Sequence, residues 1–373
     1  PKHPTPAFIL DAIDAAGRAQ PSGFAAYPAT AGDPKLRQSF AGWLLRRYGL
    51  TLDPATQMLP VNGSREALFA LAQTVIDPRP KSTAVTGGDN TQPWVICPNP
   101  FYQIYEGAAI LSGARPWFVP AVPSKNFGPD WESVPEAVWA NTQLVYVCSP
   151  GNPTGAVMPL DEWKTLFALS EKYGFVIASD ECYSEIYFRE EPPLSGLEAA
   201  AKLGVKDFRN LMAFTSLSKR SNVPGMRSGF VAGDAAIIKQ FLLYRTYHGS
   251  AMSPVVQSAS IAAWNDERHV VNNRDMYRRK FAEVTPVLAA VLDVALPDAG
   301  FYLWASVPGA DDIGFARDLY ALYNVTVLPG SYLAREAGGH NPGAGRIRMA
   351  LVAETAECLE AAHRIVQFVK SRT

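Results

Sequence analysis

Cysteine is scarce: Cys97, Cys148, Cys182 and Cys358 are the only 4 in 373 residues, too far apart for the short paired spacings of a zinc site or a secreted disulfide framework. A reducing cytoplasm is the compartment this usage leads us to expect. Surplus charge is missing too, since 34 Lys and Arg oppose 35 Asp and Glu for a formal net charge of -1. Such a balance offers no electrostatic footprint to nucleic acid or an anionic membrane, so basic residues must act locally. No apolar run approaches the ~18 residues of a membrane span, and the first residues lack the charged-then-apolar pattern of an export signal. Internal repeats and low-complexity tracts are absent as well.

What the chain does have is 48% hydrophobic and 18% charged residues, an ordinary globular composition at a length that one small core does not use. Two domains are expected. Short β-rich runs alternate with helical patterns from about residue 60, which predicts parallel strands joined by crossover helices. The strand candidates are Trp94–Cys97, Arg115–Val119, Leu144–Cys148, Phe175–Ser179, Leu211–Phe214 and Ser228–Ala232. Several are apolar throughout, as strands covered on both faces must be. Between them lie helical patterns over Arg65–Val75, Tyr102–Leu111, Leu160–Tyr173 and Ala235–Tyr247. A long helical region from Pro254 to Leu292 then gives way to Phe301–Val307, Val325–Leu328, Ile347–Val352 and a closing helix over Thr355–Lys370, the pattern of a smaller α+β domain. The boundaries expected are an N-terminal segment over 1–30, a large domain over 31–265 and a small one over 266–373. Pro78–Pro93, rich in turn formers, reads as a loop before a strand.

Open α/β sheets bind ligands beyond the carboxyl ends of their strands, so residues that directly follow strand candidates carry the most information. Asn152 stands in the turn-forming run Ser149-Pro150-Gly151-Asn152-Pro153-Thr154-Gly155. Asp180, followed by Glu181-Cys182-Tyr183, is the first ionisable group past an apolar strand. Lys219 lies in Ser216-Leu217-Ser218-Lys219, with Arg227 eight positions on. Gly63-Ser64-Arg65 opens a helix whose free N–H groups and positive dipole end suit an anion. Each has an ordinary explanation alone: a turn, a helix cap, a solvated lysine, a common helix start.

Taken jointly and in this order, the four groups resemble those of class I aminotransferases of the fold-type-I pyridoxal-phosphate superfamily, and the resemblance extends from the opening PKHPTP to the closing helix. It implies a mostly parallel central sheet with helices on both faces plus a smaller α+β C-terminal domain, and pyridoxal 5′-phosphate as cofactor. Lys219 is then the Schiff-base lysine, and Asp180 the acid that keeps the cofactor's ring nitrogen protonated. Asn152 and Tyr183 hydrogen-bond its phenolic oxygen. Gly63, Ser64, Arg65, Ser216 and Arg227 surround the phosphate, and Ser218 is a further cofactor-binding residue. Tyr102 stacks on the ring, although Phe101 is adjacent, and Tyr27 in YPATAGDPKLR reaches the phosphate of a neighbouring subunit in a homodimer. In Gly345-Arg346-Ile347-Arg348, Arg348 is favoured over Arg346 as the clamp on the substrate α-carboxylate, with Asn152 beside it.

Within the class, the chain looks most similar to bacterial succinyldiaminopimelate aminotransferases of lysine biosynthesis, which exchange an amino group between N-succinyl-LL-2,6-diaminopimelate and 2-oxoglutarate. Aspartate, aromatic or acetylornithine-type transamination, or C–S β-lysis with the same lysine and aspartate, are the alternatives. A long dicarboxylic substrate needs a distal anchor, for which Arg18, Arg65 and Lys125 are available. The family also has some thirty residues before the point where this chain opens at Pro1, so an N-terminal segment is expected to precede it. No metal site is expected.

Overall fold

The computed structural model describes residues 3–79 and 92–372. In chain order its helices and strands are α1 (Ala7–Arg18), α2 (Pro34–Tyr48), β1 (Met58–Val61), α3 (Ser64–Val75), β2 (Trp94–Asn99), α4 (Ile104–Leu111), β3 (Arg115–Val122), β4 (Gly128–Pro129), α5 (Glu136–Ala140), β5 (Thr142–Cys148), α6 (Leu160–Tyr173), β6 (Val176–Asp180), α7 (Gly196–Lys202), β7 (Leu211–Ser216), α8 (Leu217–Arg220) and β8 (Gly229–Gly233). They continue with α9 (Ala235–His248), α10 (Pro254–Asn265), α11 (Arg268–Ala289), β9 (Tyr302–Ser306), α12 (Asp312–Tyr323), β10 (Leu328–Pro329), β11 (Arg346–Ala350) and α13 (Thr355–Lys370). Most of the loop expected over Pro78–Pro93 falls outside the described residues.

Eight strands form one sheet in the order β1-β8-β7-β6-β5-β2-β3-β4, and β10-β11-β9 form a second, three-stranded one. The five strands from β7 through β3 run parallel, as the apolar runs predict. β8 does not. It pairs antiparallel with both β7 and β1, because the chain turns straight back after β7, the Leu217 N–H donating to the Ser228 carbonyl, without the long crossover that parallel strands require. β1 itself has no counterpart among the strand candidates: four residues containing a proline give too short a signal. The long helical region divides into α10 and α11, and α12 fills the interval before β10.

Local chemistry places the helix ends. Asp33 caps α2 through its bond from the Lys35 N–H, with Pro34 in the first turn, and Gly49 ends the helix at φ 68°. Asp234 caps α9, and Gly249 ends it at φ 82°. One core cluster lies against the large sheet, where Phe40 stacks on Phe230 at 4.1 Å with Trp264 edge-on. A second gathers Tyr277, Phe281, Phe301, Leu303 and Phe368 against the small sheet. Each fully buried aromatic contributes roughly 2 to 3 kcal/mol by leaving water.

Candidate active site

A cavity of about 680 Å³ opens where the parallel strands end and the small sheet faces them. Its walls carry Ser64, Arg65, Tyr102, Asn152, Asp180, Tyr183, Ser216, Ser218, Lys219, Arg227 and Arg348, brought together from sequence positions almost 300 residues apart (64 to 348). Gly63 borders it from the start of α3. Its φ of 84° suits glycine, and a Cβ there would lie 2.2 Å from Arg227 Nη2, so the guanidinium rests directly on this residue. Tyr27 stands fully exposed and lines no part of the cavity.

The ends of β6 and β7 supply the two central groups. Asp180 is the last residue of β6 and is buried; its Oδ1 accepts from the Cys182 N–H at 3.3 Å and its Oδ2 from the Tyr105 hydroxyl at 2.8 Å. Burial pushes this carboxyl's pKa up, while those bonds and the nearby Lys219 act in the other direction. Tyr105 is a functional candidate that the sequence reading missed. It sits three residues past Tyr102 and turns inward behind Asp180, its ring stacked on Tyr146 at 4.6 Å. The spacing was visible, but nothing in it says which face of α4 meets the acid.

Lys219 follows β7 in the one-turn α8, half-buried. Ser216 caps that turn, its hydroxyl accepting from the Ser218 N–H at 3.1 Å and donating to the Ser218 hydroxyl at 2.8 Å. Lys219 Nζ stands 5.8 Å from the Phe301 ring, and burial lowers its pKa, favouring the neutral amine. Arg227 adopts a left-handed φ of 54° and donates through Nη1 to the Pro224 carbonyl at 2.9 Å. Arg65 donates to the Tyr102 hydroxyl through Nε, and Cys182 to the Ser64 hydroxyl.

On the facing sheet, Arg348 Nη1 donates to Asn152 Oδ1 at 2.9 Å, and its guanidinium lies 4.5 Å over the Tyr302 ring. The buried Arg348 Nε has no hydrogen-bond partner among the described residues. Arg346 lies outside the cavity lining, stacked on Phe127 at 5.2 Å. Tyr302, a second residue that the sequence reading missed, also shares a hydrogen bond of 3.0 Å with the Tyr183 hydroxyl. Of the distal-anchor candidates only Arg65 lines this cavity; Arg18 pairs with Asp14 on the surface, and Lys125 lies 3.8 Å from Asp130.

The model for "Aminotransferase class I and II" matches residues 2–365. The chain belongs to that family. This aminotransferase is 33% identical over 368 residues to a protein named LL-diaminopimelate aminotransferase from Aquifex aeolicus, covering 98% of this chain and 88% of the relative. Among solved structures, an aminotransferase from Neisseria meningitidis is 55% identical with a TM-score of 0.91, over 99% of this chain and 90% of that one. A probable N-succinyldiaminopimelate aminotransferase from Thermus thermophilus is 27% identical with a TM-score of 0.85, over 98% and 92%. The aminotransferase is a fold-type-I enzyme that depends on pyridoxal 5′-phosphate. The cavity fits that cofactor: free N–H groups at the start of α3 and a guanidinium over Gly63 suit a phosphate, a buried carboxylate suits a ring nitrogen, and a half-buried amine suits an aldehyde.

Proposed function

We propose that this aminotransferase moves the amino group of N-succinyl-LL-2,6-diaminopimelate to 2-oxoglutarate. The observation that carries the reading is the charge of the cavity wall. Arg65, Arg227, Arg348 and Lys219 are cationic groups, and Asp180 is the one carboxylate among the described lining residues. LL-diaminopimelate brings two carboxylates and two ammonium groups; succinylation removes one ammonium and adds a carboxylate. A wall with no second acid to receive a distal ammonium favours the succinylated, more anionic molecule. Arg348 would clamp its α-carboxylate and Arg65 the distal end. The relatives named LL-diaminopimelate aminotransferase support a second reading, the unsuccinylated substrate.

When bound, pyridoxal 5′-phosphate supplies an electron sink for the substrate's α-carbon. The chain's own residues would do the rest. Asp180 holds the proton on the ring nitrogen, kept anionic by Tyr105 and the Cys182 N–H. Lys219 would hold the cofactor covalently and, once the substrate's amine has displaced it, its free neutral amine would move the proton of the substrate α-carbon. Asn152 and Tyr183 hold the phenolic oxygen, and Tyr102 packs on the ring. Ser216, Arg227 and the N–H groups of residues 63–65 would hold the phosphate, joined by Tyr27 of a second copy in a homodimer, with Ser218 a further cofactor contact. A cytoplasmic location accords with the cysteine usage.

Half-reactions of the holoenzyme test the substrate. Loss of the bound cofactor's visible absorbance should be fastest with succinyldiaminopimelate, and faster than with LL-diaminopimelate, acetylornithine or aspartate. A faster reaction with LL-diaminopimelate establishes the second reading, and fast reaction with aspartate alone sinks both.

A further inference from the structure

One face of α11 holds a chain of polar groups that the site description above does not use. Asn273, Tyr277 and Lys280 are spaced by one and two helical turns and are all buried. His3 lies across them, its ring 4.5 Å from that of Tyr277. His3 Nδ1 is 3.1 Å from Asn273 Oδ1, and His3 Nε2 is 2.8 Å from Lys280 Nζ.

The donors and acceptors fix the direction of this chain. Lys280 is 1% exposed, and as an ammonium it can only donate. Its three acceptors are His3 Nε2, the Leu351 carbonyl at 3.2 Å and the Ala353 carbonyl. His3 Nε2 is therefore bare, and the ring proton sits on Nδ1, donating to Asn273 Oδ1. The same oxygen accepts from Asn222 Nδ2 at 2.9 Å, and Asn273 Nδ2 donates to the Lys219 carbonyl at 3.2 Å. Each of these bonds pairs a donor with an acceptor, while the buried Tyr277 hydroxyl and Asn222 Oδ1 have no partner among the described residues, so Tyr277 contributes its ring and not a hydrogen bond.

Its two ends are what give the chain a function. One grips the backbone of Lys219. The other grips the carbonyls of Leu351 and Ala353, just past β11, the strand that carries Arg348. We propose that His3, Asn273 and Lys280 are positioning residues: a hydrogen-bonded strut that sets the distance between the Lys219 amine and the Arg348 clamp. The substrate must reach both groups at once, and a displacement of about 1 Å can cost on the order of a hundredfold in rate. The phosphate cradle at Gly63 and Arg227 lies off the strut, so cofactor affinity should not depend on it.

The inference rests on the roles given above to Lys219 and Arg348, but it fails separately from them, because cofactor attachment to Lys219 does not require the strut. Two measurements test it. In the ¹⁵N spectrum of the full chain at neutral pH, His3 should show a bare Nε2 and a protonated Nδ1; two protonated nitrogens, or the opposite tautomer, overturn the proposal. In kinetics, His3→Leu should lower kcat/KM for the amino donor about tenfold with cofactor affinity unchanged within twofold. His3→Gln, which offers an acceptor and a donor side by side, should recover most of the loss. An unchanged kcat/KM in His3→Leu, an equal loss of cofactor affinity, or no recovery in His3→Gln contradicts the strut. If His3→Leu does not fold, Asn273→Ala, which frees the Lys219 carbonyl together with the His3 and Asn222 donors, should give the same split, and its failure to do so counts equally against the proposal.

Discussion

Arg47 and Arg274 converge on Glu185, each donating to a different carboxylate oxygen at 2.9 Å, and each guanidinium also lies on a tyrosine, Tyr48 and Tyr187 respectively. Arg65, Arg227 and Arg348 line one cavity, yet among the described residues no carboxylate lies within ion-pair distance of any of them. The first group is complete within the chain, and removing a member leaves a buried charge uncompensated. The second is complete only when something anionic enters. On the proposed reading, arginines of the same chemistry serve stability in one place and recognition in the other, and the presence or absence of an internal acid is what distinguishes them.

Five substitutions probe that contrast, beginning with the largest effect. Lys219→Ala should lower the transamination rate on the order of 10⁴-fold, since the proposed reading assigns both the covalent attachment and the proton transfer to this amine; a steady-state assay that finds a loss below tenfold breaks the assignment. Arg348→Ala should lower kcat/KM for the amino donor on the order of 10² to 10³-fold with little change in thermal stability, whereas Arg346→Ala should change it less than threefold. If the two variants behave alike, the clamp has been misplaced. Arg47→Met should do the opposite of Arg348→Ala, costing about 3 kcal/mol in denaturant unfolding and leaving kcat/KM near normal.

A stability effect smaller than that at Arg47 is expected at Glu181, which is 5% exposed and accepts from the Ser179 hydroxyl and the Gly196 N–H, each at 2.8 Å. Burial pushes its pKa up to about 7 from an ordinary 4.5. Because the folded value lies above the unfolded one, the protonated form favours folding. That contribution is fully present below pH 4.5 and is lost as pH rises through 7. Glu181→Gln keeps an acceptor oxygen without the charge, so it should stabilise the protein by about 1 to 3 kcal/mol at pH 8 and by little at pH 4.5. Equal shifts in melting temperature at both pH values contradict the titration.

The parts of this site that were legible in the sequence are those that follow strands. Asp180 and Lys219 announce themselves because an apolar run ends and a charged or small polar residue begins. Arg346 and Arg348 could not be separated that way. They lie two apart on β11 and so share one face of it, and what divides them is position along the strand: Arg346 pairs with Ser306 and stacks on Phe127, while Arg348 pairs with Trp304 and meets Asn152. Tyr105 and Tyr302 were missed because their roles come from tertiary contacts, with Asp180, Tyr183 and Arg348, and leave no local pattern. The reversal of β8 was missed for a related reason: periodicity reports a strand but not its direction.

The central claim is that one amine, Lys219, carries the cofactor beside Asp180. Borohydride reduction of the holoenzyme followed by peptide mapping addresses it directly. Recovery of the pyridoxyl group on the peptide containing Lys219, and its loss in Lys219→Ala, is the result this account predicts; recovery on any other lysine would contradict it.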